Sequence, residues 1–414
     1  MKMKNVAILI TAALCIAQPE KSPAENWTTI LDYEYIAGAS TGGNCIAADG
    51  LGRVFTGGVG YPGSGFGSGL VLGTDAAEGS WFLSDDSNPS PPQDGSEVNG
   101  LAFDSFGNLY SAGTIYYPCT QTSCPGSQWY LRMSSDGGAS WSTMNLFQYS
   151  AGKSCGAGAI AADLSGNVFV VGVAPDAKGV GHWLVRKGSN GGQIWSSVDD
   201  ISGARALGIG FVPDVGVFAV GSISTTTTIK GSSTTTTSWI SRRSVDGGLT
   251  WSTVDILQPP AGYNAHGVAA TSDSLGNIYV AGSTTVLVGS GRTSSAVPRW
   301  IVRKSSDGGN TWSTVDAFSY VSGKSSFPSA MGSDSDGNPV VTGTATDSSG
   351  AQHWLVRRPV QGVWQTVDDY QLVLGQKEAV GCGVATDAAG NLLVTGGADD
   401  SAGLTHWIVR RAKP

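Results

Sequence analysis

Apolar and polar positions alternate in short runs along the chain, and the runs repeat. The clearest is a Trp followed by apolar residues and an Arg. It reads WYLRM from Trp129, WLVRK from Trp183, WISRR from Trp239, WIVRK from Trp300, WLVRR from Trp354 and WIVRR from Trp407. WFLSD from Trp81 reads as a degenerate seventh copy, with spacings of 48 to 61 residues between copies. Short period-two alternation predicts half-buried strands, and recurrence at such a spacing predicts a series of like units.

A turn string precedes most copies: DSFGNLYSAG from Asp104, DLSGNVFVVG from Asp163, DSLGNIYVAG from Asp273 and DAAGNLLVTG from Asp387. DGLGRVFTGG from Asp49 and DSDGNPVVTG from Asp334 are close relatives, and Pro213-Asp214-Val215-Gly216 is an eroded one. Asp can bond the turn amides while Gly and Asn accept positive φ, so each string predicts a hairpin. A third string follows the Trp-Arg strand: SSDGGASW to Trp141, SNGGQIW to Trp195, SVDGGLTW to Trp251, SSDGGNTW to Trp312 and a worn VQGVW to Trp364. These resemble the Asp-box, S-x-D-x-G-x-T-W, of the BNR repeats found in sialidase-like β-propellers.

Each unit then reads as four antiparallel strands, and seven units imply an all-β, seven-bladed β-propeller. The chain stops just after Arg410 without a fourth strand for its last unit. Trp27-Thr-Thr-Ile-Leu-Asp32-Tyr33 aligns with Trp364-Gln-Thr-Val-Asp368-Asp-Tyr370, so the N-terminal segment is expected to complete the last blade. Seven Trp (81, 129, 183, 239, 300, 354, 407) fall in the third-strand slot and six (27, 141, 195, 251, 312, 364) at the fourth, which uses all 13. All therefore read as packing residues. Arg132, Arg186, Arg242, Arg303, Arg357 and Arg410 read likewise as structural, with outer-strand acids such as Asp255 and Asp316 as partners.

Composition narrows the function classes. The net charge is −8, only 14% of residues are charged, and there is no basic stripe of the kind that binds nucleic acid. Sixty Gly without a triplet period fit many tight turns. Lys2 and Lys4, the apolar run Val6–Ala17 and small residues at Cys15 and Ala17 predict a cleaved export signal over residues 1–17. Residues 18–414 then form one domain, secreted or periplasmic, monomeric and without a membrane-inserted segment. Of the five remaining cysteines, Cys119 and Cys124 are close enough to form a local disulfide. Cys45, Cys155 and Cys382 cannot be paired from sequence.

In the implied propeller both families of turns share one rim. The loops between second and third strands, with the blade-to-blade connections, share the other, which in related propellers usually carries the ligand. Blade one inserts a Gly-rich loop from Val59 to Ser80 with Tyr61 and Phe66; blade two inserts Tyr116-Tyr117-Pro118-Cys119 to Cys124. The connection between them carries Asp94 and Glu97. Aromatic faces beside carboxylates suit a saccharide, whose C–H face packs on a ring while its hydroxyls are hydrogen-bonded.

Arg205, Arg292 and Arg299 form an alternative anion site. Sialidase-like enzymes hold a carboxylate with three arginines, but this chain has no Arg-Ile-Pro motif, has seven units where they have six blades, and has no Tyr–Glu nucleophile pair that can be placed. His182, His353 and His406 each precede a third-strand Trp and read as rim residues; His266 is the non-repeated one. Asp334-Ser-Asp336-Gly-Asn338 lacks the distal Glu of a calcium loop, and no metal or cofactor is expected. Thr225–Thr228 and Thr234–Thr237 around Lys230-Gly231 predict a protruding hairpin. The expected function is binding of a glycan or an extracellular protein on the loop face of blades one and two. The alternative is a glycoside hydrolase or polysaccharide lyase using acids such as Asp94 and Glu97 there.

Overall fold

The computed structural model describes residues 26–63, 66–74, 80–87, 95–120, 124–289 and 294–414. They build seven four-stranded antiparallel sheets arranged in a ring. Blade one is β2 (Thr41–Ala48), β3 (Val54–Gly60), β4 (Ser68–Thr74) and β5 (Phe82–Asp86). Blade two is β6 (Gly95–Phe103), β7 (Leu109–Tyr116), β8 (Gln128–Ser134) and β9 (Ser142–Phe147). Blade three is β10 (Gly156–Ala162), β11 (Val168–Pro175), β12 (Gly181–Ser189) and β13 (Ile194–Ser202). Blade four is β14 (Ala204–Val212), β15 (Gly216–Ile229), β16 (Ser232–Ser244) and β17 (Ser252–Leu257). Blade five is β18 (Ala265–Ser272), β19 (Ile278–Val288), β20 (Ser295–Ser305) and β21 (Ser313–Phe318). Blade six is β22 (Ser326–Ser333), β23 (Pro339–Thr346), β24 (Gln352–Val360) and β25 (Val363–Tyr370). Blade seven takes β26 (Ala379–Thr386), β27 (Leu392–Asp399) and β28 (Thr405–Ala412) from one end of the chain and β1 (Trp27–Tyr33) from the other. The pairing of β1 with β28, from Trp27↔Ala412 to Tyr33↔Trp407, closes the ring as the sequence predicts.

The turn strings behave as their chemistry requires. In Asp104, Asp163, Asp273 and Asp387, Oδ1 accepts the amides two and four residues on, and Oδ2 accepts the Asn side chain. In the other family, the Asp136 carboxylate accepts the Ser134 and Ser140 hydroxyls and the Ser140 amide. Those bonds hold its pKa down at about 2.

Blades pack through the repeated residues. Trp129, Trp183, Trp239, Trp300, Trp354 and Trp407 are fully buried. Trp239, Trp354 and Trp407 lie against Gly267, Gly381 and Gly43 of the next inner strand, where any Cβ would overlap the indole. Arg132, Arg242, Arg303, Arg357 and Arg410 each reach back to an outer-strand Asp of the preceding blade: Asp85, Asp199, Asp255, Asp316 and Asp368, at 2.6–3.0 Å. Two junctions differ. At the junction of blades two and three Asn145 holds the outer-strand position of that Asp, and Arg186 rests on the Phe147 ring, 3.8 Å from its centroid. At the junction of blades seven and one, Leu72 and Leu31 replace both partners inside an apolar cluster.

One expectation is corrected. Trp81 does not sit in a third strand; it precedes β5 and so takes the outer-strand slot, donating its indole N–H to Ile30 O at 3.1 Å. The third strand of blade one is β4, in the middle of the segment expected to be one long loop from Val59 to Ser80. Gly69 stands where the buried Trp would be, and Leu72 where the Arg would be. Tyr130 of blade two helps fill the gap: its buried hydroxyl lies 2.8 Å from Ser87 Oγ, which in turn bonds Gly69 O.

Candidate functional site

The inner strands share an irregularity that neither turn string reveals. Register with the second strand slips once in each, at Asn44, Asn99, Gly158, Leu207, Val268, Ser329 and Cys382. A bulge adds one residue and re-aims its side chain, here into the axis of the ring. These seven line an axial cavity of about 380 Å³. Its wall is polar on blades six, seven, one and two, through Ser329, Cys382, Asn44 and Asn99, and apolar on blades four and five, through Leu207 and Val268. Below the bulges Ile46, Leu101, Ile160, Ile209, Ala270, Met331 and Val384 form an apolar collar.

Two residues before each bulge, towards the loop side, strand alternation returns a side chain to the bore. Those positions hold Gly42, Glu97, Gly156, Arg205, His266, Phe327 and Val380. Glu97 is fixed from two directions: Asn99 Nδ2 donates to its Oε1 at 3.0 Å, and the Tyr116 hydroxyl donates to its carboxylate. Burial first, and then the Glu97 charge, push the Tyr116 phenol well above its ordinary pKa, so it stays protonated and a donor. Asn44 Nδ2 ties the adjacent blade to the same network through Val98 O and Asn99 Oδ1.

Above Glu97 the loops of blades one and two meet. Phe66 stacks on Tyr116 with ring centroids 5.6 Å apart and planes at 11°. The loop is held there by Ser96 N donating to Gly67 O, and Gly95 leaves room for Phe66 Cβ. Phe66 is 53% exposed and Tyr61, which also neighbours Tyr116, is 43% exposed. Tyr61, Phe66, Glu97 and Tyr116 thus come together. Tyr117 stands apart, bonding Gln128 at 3.3 Å and packing against the core of blades one and two. Asp94 lies outside the described residues. The Cys119–Cys124 disulfide closes the blade-two loop.

The alternative trio of arginines is described only in part. Arg205 is on the inner strand β14, whereas Arg299 is on the third strand β20 and bonds Ser319 Oγ at 3.2 Å. Arg292 lies outside the described residues. His182, His353 and His406 sit away from the bore, each with Nδ1 2.6–2.7 Å from an outer-strand Asp. Among the described residues no group of three or more His, Cys, Asp or Glu is placed to hold a metal ion.

Asn44, Asn99, His266 and Phe327 are mouth or bore residues absent from the expected site. Their one sequence signal is position: aligning the inner strands upstream of each D-x-x-G-N turn places them at or two before the bulge.

No family model matches the chain, and no curated protein matches it. Among solved structures it is similar to a protein of unknown function from Dyadobacter fermentans, at 12% identity and a TM-score of 0.53, over 94% of this chain and 99% of that one. It is similar to YCF48 bound to D1 peptide at 11% identity and a TM-score of 0.50, over 95% and 97%. A Hadza microbial sialidase, Hz136, aligns at 13% identity and a TM-score of 0.49, over 89% of this chain and 65% of that one. What the first two of these share with the chain is the fold.

Proposed function

We propose that this chain is an exported, monomeric binding module that takes a saccharide on the loop face of blades one and two. The observation that carries the reading is the half-exposed Phe66–Tyr116 stack, with Tyr61 beside it and Glu97 fixed beneath it. A pre-formed aromatic surface next to an oriented acceptor is what a sugar ring and its hydroxyls need. A peptide is the second reading, supported by the like-folded YCF48 in complex with a D1 peptide. A hydrolase would need a second acid roughly 5–9.5 Å from Glu97.

The test is a glycan array probed with residues 18–414 and read over time. Stable binding that Phe66→Ala or Tyr116→Ala reduces at least tenfold is the expected result. Binding unaffected by either variant, or none at all, would overturn the saccharide reading. A printed glycan that disappears would replace the binding module with an enzyme.

A further inference from the structure

Arg205 stands out among the arginines of the described residues. Arg53, Arg132, Arg186, Arg242, Arg243, Arg299, Arg303, Arg357, Arg358 and Arg410 each hold an acid, a carbonyl, a hydroxyl or an aromatic ring. Arg205 is exposed at the mouth of the bore with no hydrogen bond or ion pair to any described residue, in a chain of net charge −8. Its neighbour on the next inner strand is His266. Burial, and then the Arg205 charge, lower the pKa of that imidazole, which leaves it neutral and able to donate one hydrogen bond. Beneath the pair lie Leu207 and Val268, and on the next inner strand Phe327 of blade six, 39% exposed, holds the position that His266 holds in blade five. Blade three, with Gly156 and Gly158 at the corresponding positions, stands between this half of the mouth and Glu97 of blade two.

We propose that the bore, on the side of blades four to six, binds a small organic carboxylate. The carboxylate meets the Arg205 guanidinium with the His266 N–H beside it, and an aromatic or short alkyl body lies on Leu207, Val268 and Phe327. One guanidinium with a neutral imidazole matches a single negative charge, and its planar fork matches a carboxylate bidentately. The axial cavity of about 380 Å³ just beneath Arg205 and His266, with Leu207 and Val268 in its wall, has room for the body of such a molecule. The site is independent of the saccharide face, which lies over blades one and two.

Ring resonances of His266, assigned with His266→Gln, are followed during titration with phenylacetate. Acetate, 2-phenylethanol and glucuronate serve as comparison probes. The expected result is saturable binding of phenylacetate that raises the His266 pKa, since a bound anion favours the imidazolium. Acetate and 2-phenylethanol should each bind at least tenfold more weakly. Arg205→Gln, a change at an exposed position, should weaken phenylacetate at least tenfold with the circular dichroism melt unchanged. An unmoved His266, or a shift that Arg205→Gln leaves intact, would overturn the site. Glucuronate binding as tightly as phenylacetate would overturn the apolar body. None of these outcomes depends on the aromatic face, which Phe66→Ala tests separately.

Discussion

Arg186 brings a charge into the junction of blades two and three, where five other junctions supply an aspartate and this one supplies Asn145. Its Nε and the Asn145 Oδ1 have no hydrogen-bond partner, and burial lowers the Arg186 pKa. Asn145→Asp should restore the missing pair and raise unfolding stability by about 1–3 kcal/mol. Urea unfolding reads it, and a less stable variant would refute the idea that the junction lacks an anion. The converse change is Asp316→Asn, which removes the acid from Arg357 and leaves that guanidinium buried. It should cost about 3–5 kcal/mol, far above an exposed pair. The Arg–Asp pairing was legible in the sequence, because the Arg and the Asp recur at fixed positions. The Asn145 exception shows only when β9 is aligned with the other outer strands.

Strands were legible where they repeat and obscure where they do not. β4 has neither Trp nor Arg, so its S-G-L-V-L-G-T reads as loop, and Trp81 then takes the wrong slot. Either slot is a Trp at the head of a strand, and only the pairing partner distinguishes them. The Thr-rich hairpin was legible from β-propensity around one Gly. β15 and β16 pair through Thr228↔Ser233, with hydroxyls 2.8 Å apart at Thr226/Thr235. It touches little of the core, so replacing residues 225–236 by Asn-Gly should move the melting temperature by less than about 3 °C. A larger drop would show that the hairpin supports the ring. The clasp strand β1 behaves differently. His406 of β28 has Nδ1 2.7 Å from Asp32 and Nε2 3.1 Å from Glu34 and 3.7 Å from Asp400. Burial lowers its pKa, but these three acids outweigh burial and raise it. A raised folded value means the contribution is complete below the ordinary imidazole pKa of about 6.5 and is lost as pH rises through the folded value. His406→Gln should therefore cost more stability at pH 5.5 than at pH 8.5. Equal losses at both would argue against the clasp.

For the whole molecule, what varies between blades was the hardest to see. The bore residues carry no motif, because the repeat fixes the inner-strand backbone and leaves the bulge side chains free to differ. The same enclosure governs the thiols. Burial raises the pKa of Cys45 and Cys155, and pushes that of Cys382 up to about 12. All three should resist a disulfide reagent at pH 8 in the folded protein and react together on unfolding. Early reaction of Cys382 alone would mean the bore admits the reagent.

Ring closure has a consequence in time. Thr29 and Arg410 meet across 381 residues. Loop-closure entropy grows slowly, so pairing over that span rather than over about 50 residues costs only about 2 kcal/mol more. The burden is kinetic: β1 has no partner until β28 has formed, and its edge stays open to wrong pairings meanwhile. Moving residues 26–36 behind Pro414 would turn the longest-range contact into a local hairpin. Such a circular permutant should refold faster and aggregate less, with an equilibrium stability within about 2 kcal/mol of the parent.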